Sequence, residues 1–505
     1  MTTMASSVHR RLTENGRQAR TVLAIVGACG AIAGCMRSPA RSVASVSAAA
    51  EYRPAPADGA FIDTLSRRTF DFFWETTNPR NGLTPDRWPT KSFSSVAAVG
   101  FALTAYAIGV ERGWVTRDAA RERVLTTLRF FWNAPQGPQG TNVTGYHGFF
   151  YHFLDMESGY RFDKVELSTI DTALLLAGAL TCRQYFDRGD DAADREVRAL
   201  ADSLYARVDW QWASDGAAIV NMGWRPDAAP NQNARGFNIS SWRGYDEGML
   251  LYILAIGSPT HPIDPAAWKE WTRTYKWERF YGQEYVQFAP LFGHQYSHIW
   301  IDFRSVQDEY MRGRGIDYFE NSRRATLAHR AYAIANPAAW RGYGANAWGL
   351  SASDGPLDST LTVDARSRTF HTYWARGAAT ADINDDGTLV PTAAGGSIAF
   401  APEIVVPALV SMRHTYGDAI FGRYGFVDAF NPTLRTPGPP LHHGRIVDGL
   451  AWFDTDYLGI DQGPILAMVA NWRSDFVWKL MRQNTSIVRG MCRAHFTGGW
   501  LTGRC

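Results

Sequence analysis

The chain has 505 residues, 46 % of them hydrophobic, with 51 Lys and Arg against 49 Asp and Glu. That length accommodates one large domain or two to three ordinary ones. Without residues 1–34 the balance is 47 basic to 48 acidic residues, a near-neutral chain that excludes the electrostatic footprint of nucleic-acid binding. The 19 Trp, 21 Tyr and 27 Phe exceed what a core alone asks for and suit platforms for flat-faced ligands such as sugars.

Residues 1–34 read as a signal peptide. Arg10, Arg11, Arg17 and Arg20 form a basic opening, and Thr21 to Ala33 is uncharged and apolar but shorter than the ~20 residues a membrane span needs. The segment ends in Ile32-Ala-Gly-Cys35, similar to a bacterial lipoprotein signal, which makes Cys35 the expected lipidation site. The expected location is the periplasm or the outer membrane of a Gram-negative bacterium, with membrane contact only through that lipid. Residues 35–57, rich in Ala, Ser, Arg and Pro, read as a flexible tether. Of the later cysteines, Cys492 and Cys505 close a short loop and can pair in an oxidising compartment.

From Phe61 onward helical periodicity dominates. It predicts helices over 61–75, 94–112, 117–132, 168–187, 192–210, 245–256, 265–274, 318–336, 403–414 and 462–480, with weaker signals near 297–310 and 368–380. Long Gly-, Asp- and aromatic-rich loops separate them, and loops of that length are usually functional. Alternating helices and functional loops suggest a mostly α fold of paired helices closed into an α/α toroid, although a solenoid satisfies the same periodicity. Residues 58–490 are expected to form the domain, and 491–505 a C-terminal tail.

Five stretches carry candidate chemistry. Ser241-Trp-Arg-Gly-Tyr-Asp-Glu-Gly248 sets Asp246 and Glu247 before an apolar helix, among Trp242, Arg243 and Tyr245. Carboxylates there serve a helix dipole as readily as a reaction. Ser168-Thr-Ile-Asp171 is a capping box, which gives Asp171 a structural task, while Asp163 and Glu166 precede it in the loop. His294, His298 and Asp302, four apart, can face one way on a helix and hold a metal; the interleaved Tyr296, Trp300 and Arg304 fit a polar, aromatic sugar pocket better. Asp382-Ile-Asn-Asp-Asp386-Gly387 copies half a calcium loop without its final Glu and reads as a turn. Late in the chain, Asp454, Asp456 and Asp461 precede another apolar helix, with Asp461 a plausible N-cap and Asp456 free in the loop.

Six ordered stretches then resemble the bacterial glycoamylase-like family, which includes endo-β-1,2-glucanases. They are Gly82-Leu-Thr-Pro-Asp-Arg87, residues 165–178, residues 242–259, Tyr296-Ser-His-Ile-Trp-Ile-Asp-Phe-Arg304, Pro391-Thr-Ala-Ala-Gly-Gly-Ser397 and Gly459-Ile-Asp-Gln-Gly-Pro464. The resemblance covers roughly residues 60–485. It implies an (α/α)6 barrel whose loops form an acidic, aromatic cleft, and an inverting hydrolase of linear or cyclic β-1,2-glucan with no metal or cofactor. It implies Glu247 as general acid and Glu166, Asp163 and Asp456 as further functional acids. Trp242, Arg243, Tyr245, Asp246, His298, Trp300, Asp302, Arg304, Glu403 and Asp461 are the expected substrate-binding set, and a monomer is expected. One departure is Ala470, where similar sequences carry Glu. The competing expectations are a carbohydrate-binding lipoprotein without catalysis and a hydrolase or lyase of the same fold acting on another glycan.

Overall fold

A helix that is apolar on every side has to be surrounded by protein, and four segments of this chain are of that kind. In the computed structural model, which describes residues 52–505 apart from 228, 230 and 439, these are α2 (Val96–Glu111), α4 (Thr169–Tyr185), α6 (Met249–Gly257) and α11 (Gly459–Ser474). Every residue from Val96 to Gly109, from Thr169 to Cys182 and throughout α6 is buried. The expected signal segment 1–34, Cys35 and the tether up to residue 51 lie outside the described residues.

Two short helices, α7 (Tyr296–Trp300) and α9 (Pro391–Gly395), complete an inner ring. The ring is closed neighbour by neighbour. α2 packs on α4, α4 on α6, and α11 on both α2 and α9. Ser297 of α7 donates to Glu247 O at 2.8 Å and accepts from Leu250 N at 3.0 Å, which ties α7 to the start of α6. Gln295 Nε2 donates to Ala393 O and Ser397 Oγ, both at 2.8 Å, and Thr392 Oγ1 donates to Asp461 O at 2.9 Å. Apart from Ala393 and Ser397, in the middle and just beyond the end of the short α9, these bonds join N-terminal ends, so the inner helices enter the ring from one mouth.

The helices alternating with them are one-sided and form the outer layer: α1 (Pro56–Thr76), α3 (Arg117–Asn133), α5 (Ala192–Arg207), α8 (Tyr318–Ala335), α10 (Pro402–Tyr416) and α12 (Thr485–Arg493). In α5 only Asp194, Val197, Ala201, Leu204 and Tyr205 are buried, the stripe a surface helix shows the core. The result is the expected helical toroid. Short strands rim its mouth: β1 (Arg87–Trp88), β2 (Ser94–Ser95), β3 (Gly145–Tyr146), β4 (Phe149–Tyr151), β5 (Phe153–Leu154), β6 (Leu167–Ser168), β7 (Gly223–Trp224) and, late in the chain, β8 (Tyr457–Leu458). All pairs are antiparallel; β4 and β7 flank β6, β2 pairs with β5, and β1 pairs with β8.

Three expectations change. Residues 245–248 are an irregular turn, and α6 begins at Met249 with Gly248 as its N-cap. The helical signal near 368–380 is instead the end of a hairpin, Ser359–Val363 with Arg366–Phe370, whose Asp364 and Ala365 take the two positive-φ positions of a tight loop, followed by short strands at Trp374–Ala375 and Gly377–Ala379. Residues 491–505 pack on the barrel rather than trailing from it: Phe496 is buried, Thr497 bridges to Gln307, and Cys492 is disulfide-bonded to Cys505.

The closest approach in the ring falls at glycines. A Cβ on Gly100 of α2 would lie 2.3 Å from Leu174 O, and one on Gly178 of α4 would lie 2.1 Å from Gly100 O, so neither helix can accept a methyl group without moving its neighbour's backbone. Gly100→Ala is expected to cost about 1–3 kcal/mol or more. Gly313→Ala, in a helix with open space around its Cβ, is expected to gain roughly 0.5–1 kcal/mol from helix propensity. Thermal or denaturant midpoints of the two variants check the assignment of the crossing.

Candidate active site

The turn before α6 delivers two carboxyl groups to the mouth. Asp246 accepts the N–H of Gly248 at 2.8 Å, so the free amide at the helix start goes to Asp246 and not to Glu247. Trp242, buried beneath the turn, donates its indole N–H to Thr169 Oγ1 of α4 at 2.9 Å, and its carbonyl accepts the Tyr252 hydroxyl at 2.8 Å. Tyr245 is buried against His294, ring to ring at 4.8 Å. Asp246 is 6 % exposed and Glu247 8 %, and among the described residues no Lys, Arg or His forms an ion pair with either. Burial pushes both carboxyls up, and repulsion from Asp246 and then Asp171 raises Glu247 further. A backbone amide hydrogen bond at Glu247 opposes this and is outweighed, so the carboxyl is biased towards its protonated form.

The neighbouring wall, at the start of α4, has the opposite character. Ser168 caps the helix, accepting from Asp171 N at 3.2 Å and donating to the Asp171 carboxylate. Glu166 lies between His152 Nδ1 at 3.0 Å and Arg225 Nη2 at 2.9 Å, and His152 Nε2 reaches Asp171 Oδ1 at 3.6 Å. Burial works against the charged forms of both Glu166 and His152. It is outweighed in each by the ionic partners, which hold Glu166 well below the usual carboxylate range and lift His152 to about 9. Glu166 is thus a fixed anion, unsuited to donating a proton.

Across the mouth, β1, β8 and the first turn of α11 gather carboxylates around one cation. Arg87 contacts Asp354 and Asp86, lies 3.8 Å from Asp456 Oδ2, and donates to His443 Nε2 at 2.8 Å. Asp456 Oδ1 accepts Thr90 N at 3.1 Å; Asp454 Oδ1 accepts the amides of Thr455 at 2.5 Å and Asp456 at 3.1 Å. Asp428 accepts Asp354 N at 2.7 Å. Burial, reinforced by the surrounding carboxylates, raises Asp428, Asp454 and Asp461. Buried oxygens of Asp354, Asp428, Asp454, Asp456 and Asp461 accept no hydrogen bond from the described residues, leaving acceptors that a protonated neighbour or a ligand hydroxyl can fill. Asp354, His443 and Asp454 offer atoms within 4.8 Å of one another, as a metal site would, but Arg87 already brings its positive charge to Asp354 and His443. Tyr296, half-buried in α7, links the two walls: its hydroxyl donates to Ile460 O at 3.1 Å and feels the charge of Asp461 on one side and of Glu247 and Asp171 on the other.

Several expected site residues lie elsewhere. Asp302 follows the C-terminal end of α7 and Asp475 caps the C-terminal end of α11, so the network of Asp302, Arg304, Asp475 and Arg482 closes the barrel end opposite the mouth. Trp300 is fully buried against Phe101, its indole N–H on Thr104. His298 packs among Phe303, Phe319 and Phe400 with Nε2 3.0 Å from Ser322 Oγ, and burial lowers it to about 3. Glu403 pairs with Arg323 at 2.5 Å at the start of α10, an outer helix that runs the other way. Arg243 and Asp163 are exposed on loops. The half calcium loop is also committed, Asp385 to Tyr332 and Tyr343 and Asp386 to Arg376. Conversely, His152, Arg225, Asp354, Asp428 and His443 join the site without a motif to announce them; only Asp86 and Arg87 stood in a quoted stretch.

His152 gives this wall a pH signature. Its pKa in the folded chain, about 9, exceeds the ordinary 6.5, so its contribution to stability is complete below about pH 6.5 and is lost as pH climbs through 9. The fall in thermal midpoint between about pH 6 and 9.5 is expected to be smaller in His152→Gln than in the wild-type protein. Equal falls would show that the triad with Glu166 and Asp171 carries no ionic stabilisation.

Comparison with known proteins bears on this constellation. The glycoamylase family model, described as "Putative glucoamylase", matches residues 240–485, from the Glu247 turn through α11. An exo beta-1,2-glucooligosaccharide sophorohydrolase (non-reducing end) of Parabacteroides distasonis is 27 % identical over 467 residues, 86 % of this chain; the chain spans 57 % of that relative's length. The structure of an endo-beta-1,2-glucanase from Chitinophaga pinensis, with sophorotriose and glucose, superposes with a TM-score of 0.73 at 27 % identity, over 88 % of this chain and 100 % of that one. A putative glucoamylase structure from Bacteroides caccae does so with a TM-score of 0.71 at 30 % identity, again over 88 % and 100 %. The chain belongs to the glycoamylase-like family.

Proposed function

We propose that the protein is an inverting glycoside hydrolase of β-1,2-glucan, with Glu247 as the general acid. The observation that carries this is the geometry of one mouth: a buried carboxyl without a cationic partner on the α6 turn, faced by a cluster of carboxyl groups gathered around Arg87. Inversion needs a proton delivered to the glycosidic oxygen and a carboxylate that activates water from the other face of the sugar. Glu247 meets the first need. Asp461, in the first turn of the facing inner helix, and Asp456, in the loop before it, are the candidates for the second. Glu166, held ionised by His152 and Arg225, orients that wall and donates nothing. The names borne by the relatives, endo-beta-1,2-glucanase and exo beta-1,2-glucooligosaccharide sophorohydrolase, support the linkage.

Endo cleavage is the mode proposed, and cyclic β-1,2-glucan separates the modes because a chain-end enzyme cannot open a ring. New reducing ends from both cyclic and linear glucan are expected. Reducing ends from linear glucan alone would make the enzyme exo, and none from either, with binding retained, would favour a binding protein. Export is proposed on Ile32-Ala-Gly-Cys35 and on the Cys492–Cys505 disulfide, which suits an oxidising compartment. Cys35→Ala is expected to move the protein from the membrane fraction to the soluble fraction, and wild-type protein found wholly soluble would remove the lipid anchor.

Glu247→Gln keeps shape and most hydrogen bonding but removes the proton, so turnover is expected to fall by about 10²–10⁴ while glucan still binds. Asp246→Asn removes the charge that helps Glu247 keep its proton. It is expected to move the alkaline limb of the rate profile to lower pH, since Glu247 then ionises sooner. Near wild-type turnover in Glu247→Gln would end the assignment.

A further inference from the structure

A run of aromatic rings leads from the ionic wall of the site to the surface. The ring of His152 lies 4.0 Å from that of Phe153, Phe153 lies 4.1 Å from Phe93, and Phe93 lies 4.8 Å from Phe162, with interplanar angles of 31°, 32° and 44°. Phe93 and Phe153 are half-buried, and Phe162 is 37 % exposed. The backbone under the rings is fixed. Ser95 is in register with Phe153, Phe162 N donates to Phe153 O at 3.0 Å, and Asp155 N donates to Tyr160 O at 2.8 Å. The Asp155 carboxylate accepts Ser158 N at 2.8 Å and Glu157 N at 3.2 Å, which holds the hairpin tip. Asp163 follows Phe162, exposed, at a φ of 48° that non-glycine residues seldom adopt and that clusters at ligand sites.

An apolar ring face flanked by a carboxylate matches a pyranose, which presents C–H bonds on its face and hydroxyls at its edge. A protein partner is the poorer fit: three partly covered rings offer far less than the roughly 1,000 Å² that a specific protein interface needs. Continuity with His152, itself bonded to Glu166 and 3.6 Å from Asp171, joins this ramp to the ionic wall of the mouth.

We propose that Phe93, Phe153 and Phe162 form a distal subsite that stacks one glucosyl unit of the glucan, with Asp163 accepting its hydroxyls. This rests on the reading of the mouth as a β-1,2-glucan hydrolase. Asp163, expected from the sequence among the catalytic acids, becomes a binding residue remote from the scissile bond. The subsite makes chain length a determinant of specificity, because only a chain long enough to span from Glu247 to Phe162 gains the contact.

The test is kcat/KM on β-1,2-glucooligosaccharides from the trisaccharide to the octasaccharide, for wild type, Phe162→Ala, Phe162→Trp and Asp163→Asn, with thermal midpoints to confirm folding. Stacking that removes about 50–60 Å² of ring from water corresponds to roughly tenfold in affinity. The preference for long over short chains is therefore expected to fall by roughly tenfold in Phe162→Ala, through KM and not kcat. Phe162→Trp is expected to restore it, and Asp163→Asn to lower it by less. A loss equal at all lengths, or no loss, overturns the subsite while leaving the hydrolase assignment standing. A wild-type protein that turns over none of the series removes both.

Discussion

The structure depends on inner helices with no polar side to show to water. α2, α4, α6 and α11 can exist only when walled in, and a ring is how six such segments cover one another. α2 and α4 approach closely enough that backbone touches backbone at Gly100 and Gly178. Because every inner helix enters from one end, their N-terminal turns are forced together with whatever side chains they carry. Asp171, Asp246, Glu247 and Asp461 come from three such turns and are separated along the chain by up to 290 residues. Their meeting follows from the packing of apolar helix faces and not from attraction among carboxylates, which would keep them apart.

Having crowded acids into one mouth, the fold decides each one's protonation by what it places beside it. Glu166 receives His152 and Arg225, which favour its ionised form; Glu247 receives a second carboxyl, which together with burial raises its pKa. The amide of Gly248 bonds to Asp246, which lowers Asp246 without overcoming its burial. The opposite end of the barrel shows what the same residue types do without such a purpose. There Asp302, Arg304, Asp475 and Arg482 neutralise one another and secure helix ends.

Much of this was legible in the sequence, for physical reasons that differ from place to place. Continuous apolar runs such as residues 249–256 identify buried helices because nothing else can hold them, and so a mostly α fold was readable; the choice of a closed barrel over a solenoid came from the family resemblance. The Ser168–Asp171 cap is local and was readable as such. Asp246 and Glu247 were conspicuous because two adjacent acids before an apolar helix need a reason. The four-residue spacing of His298 and Asp302 misled: α7 ends at Trp300, so the residues after it leave the mouth and join the far end of the barrel.

The sequence by itself determined which segments are helical, which of them are buried, and that carboxylates and aromatics crowd the intervening loops. Only the tertiary structure decided which carboxylates meet, because that depends on which helix ends share a mouth, a relation among residues hundreds of positions apart. It also decided their charge states. A pKa answers to burial and to neighbours within a few ångströms, so Glu247 and Glu166, the same residue type by sequence, are shifted in opposite directions only once the ring has closed around them.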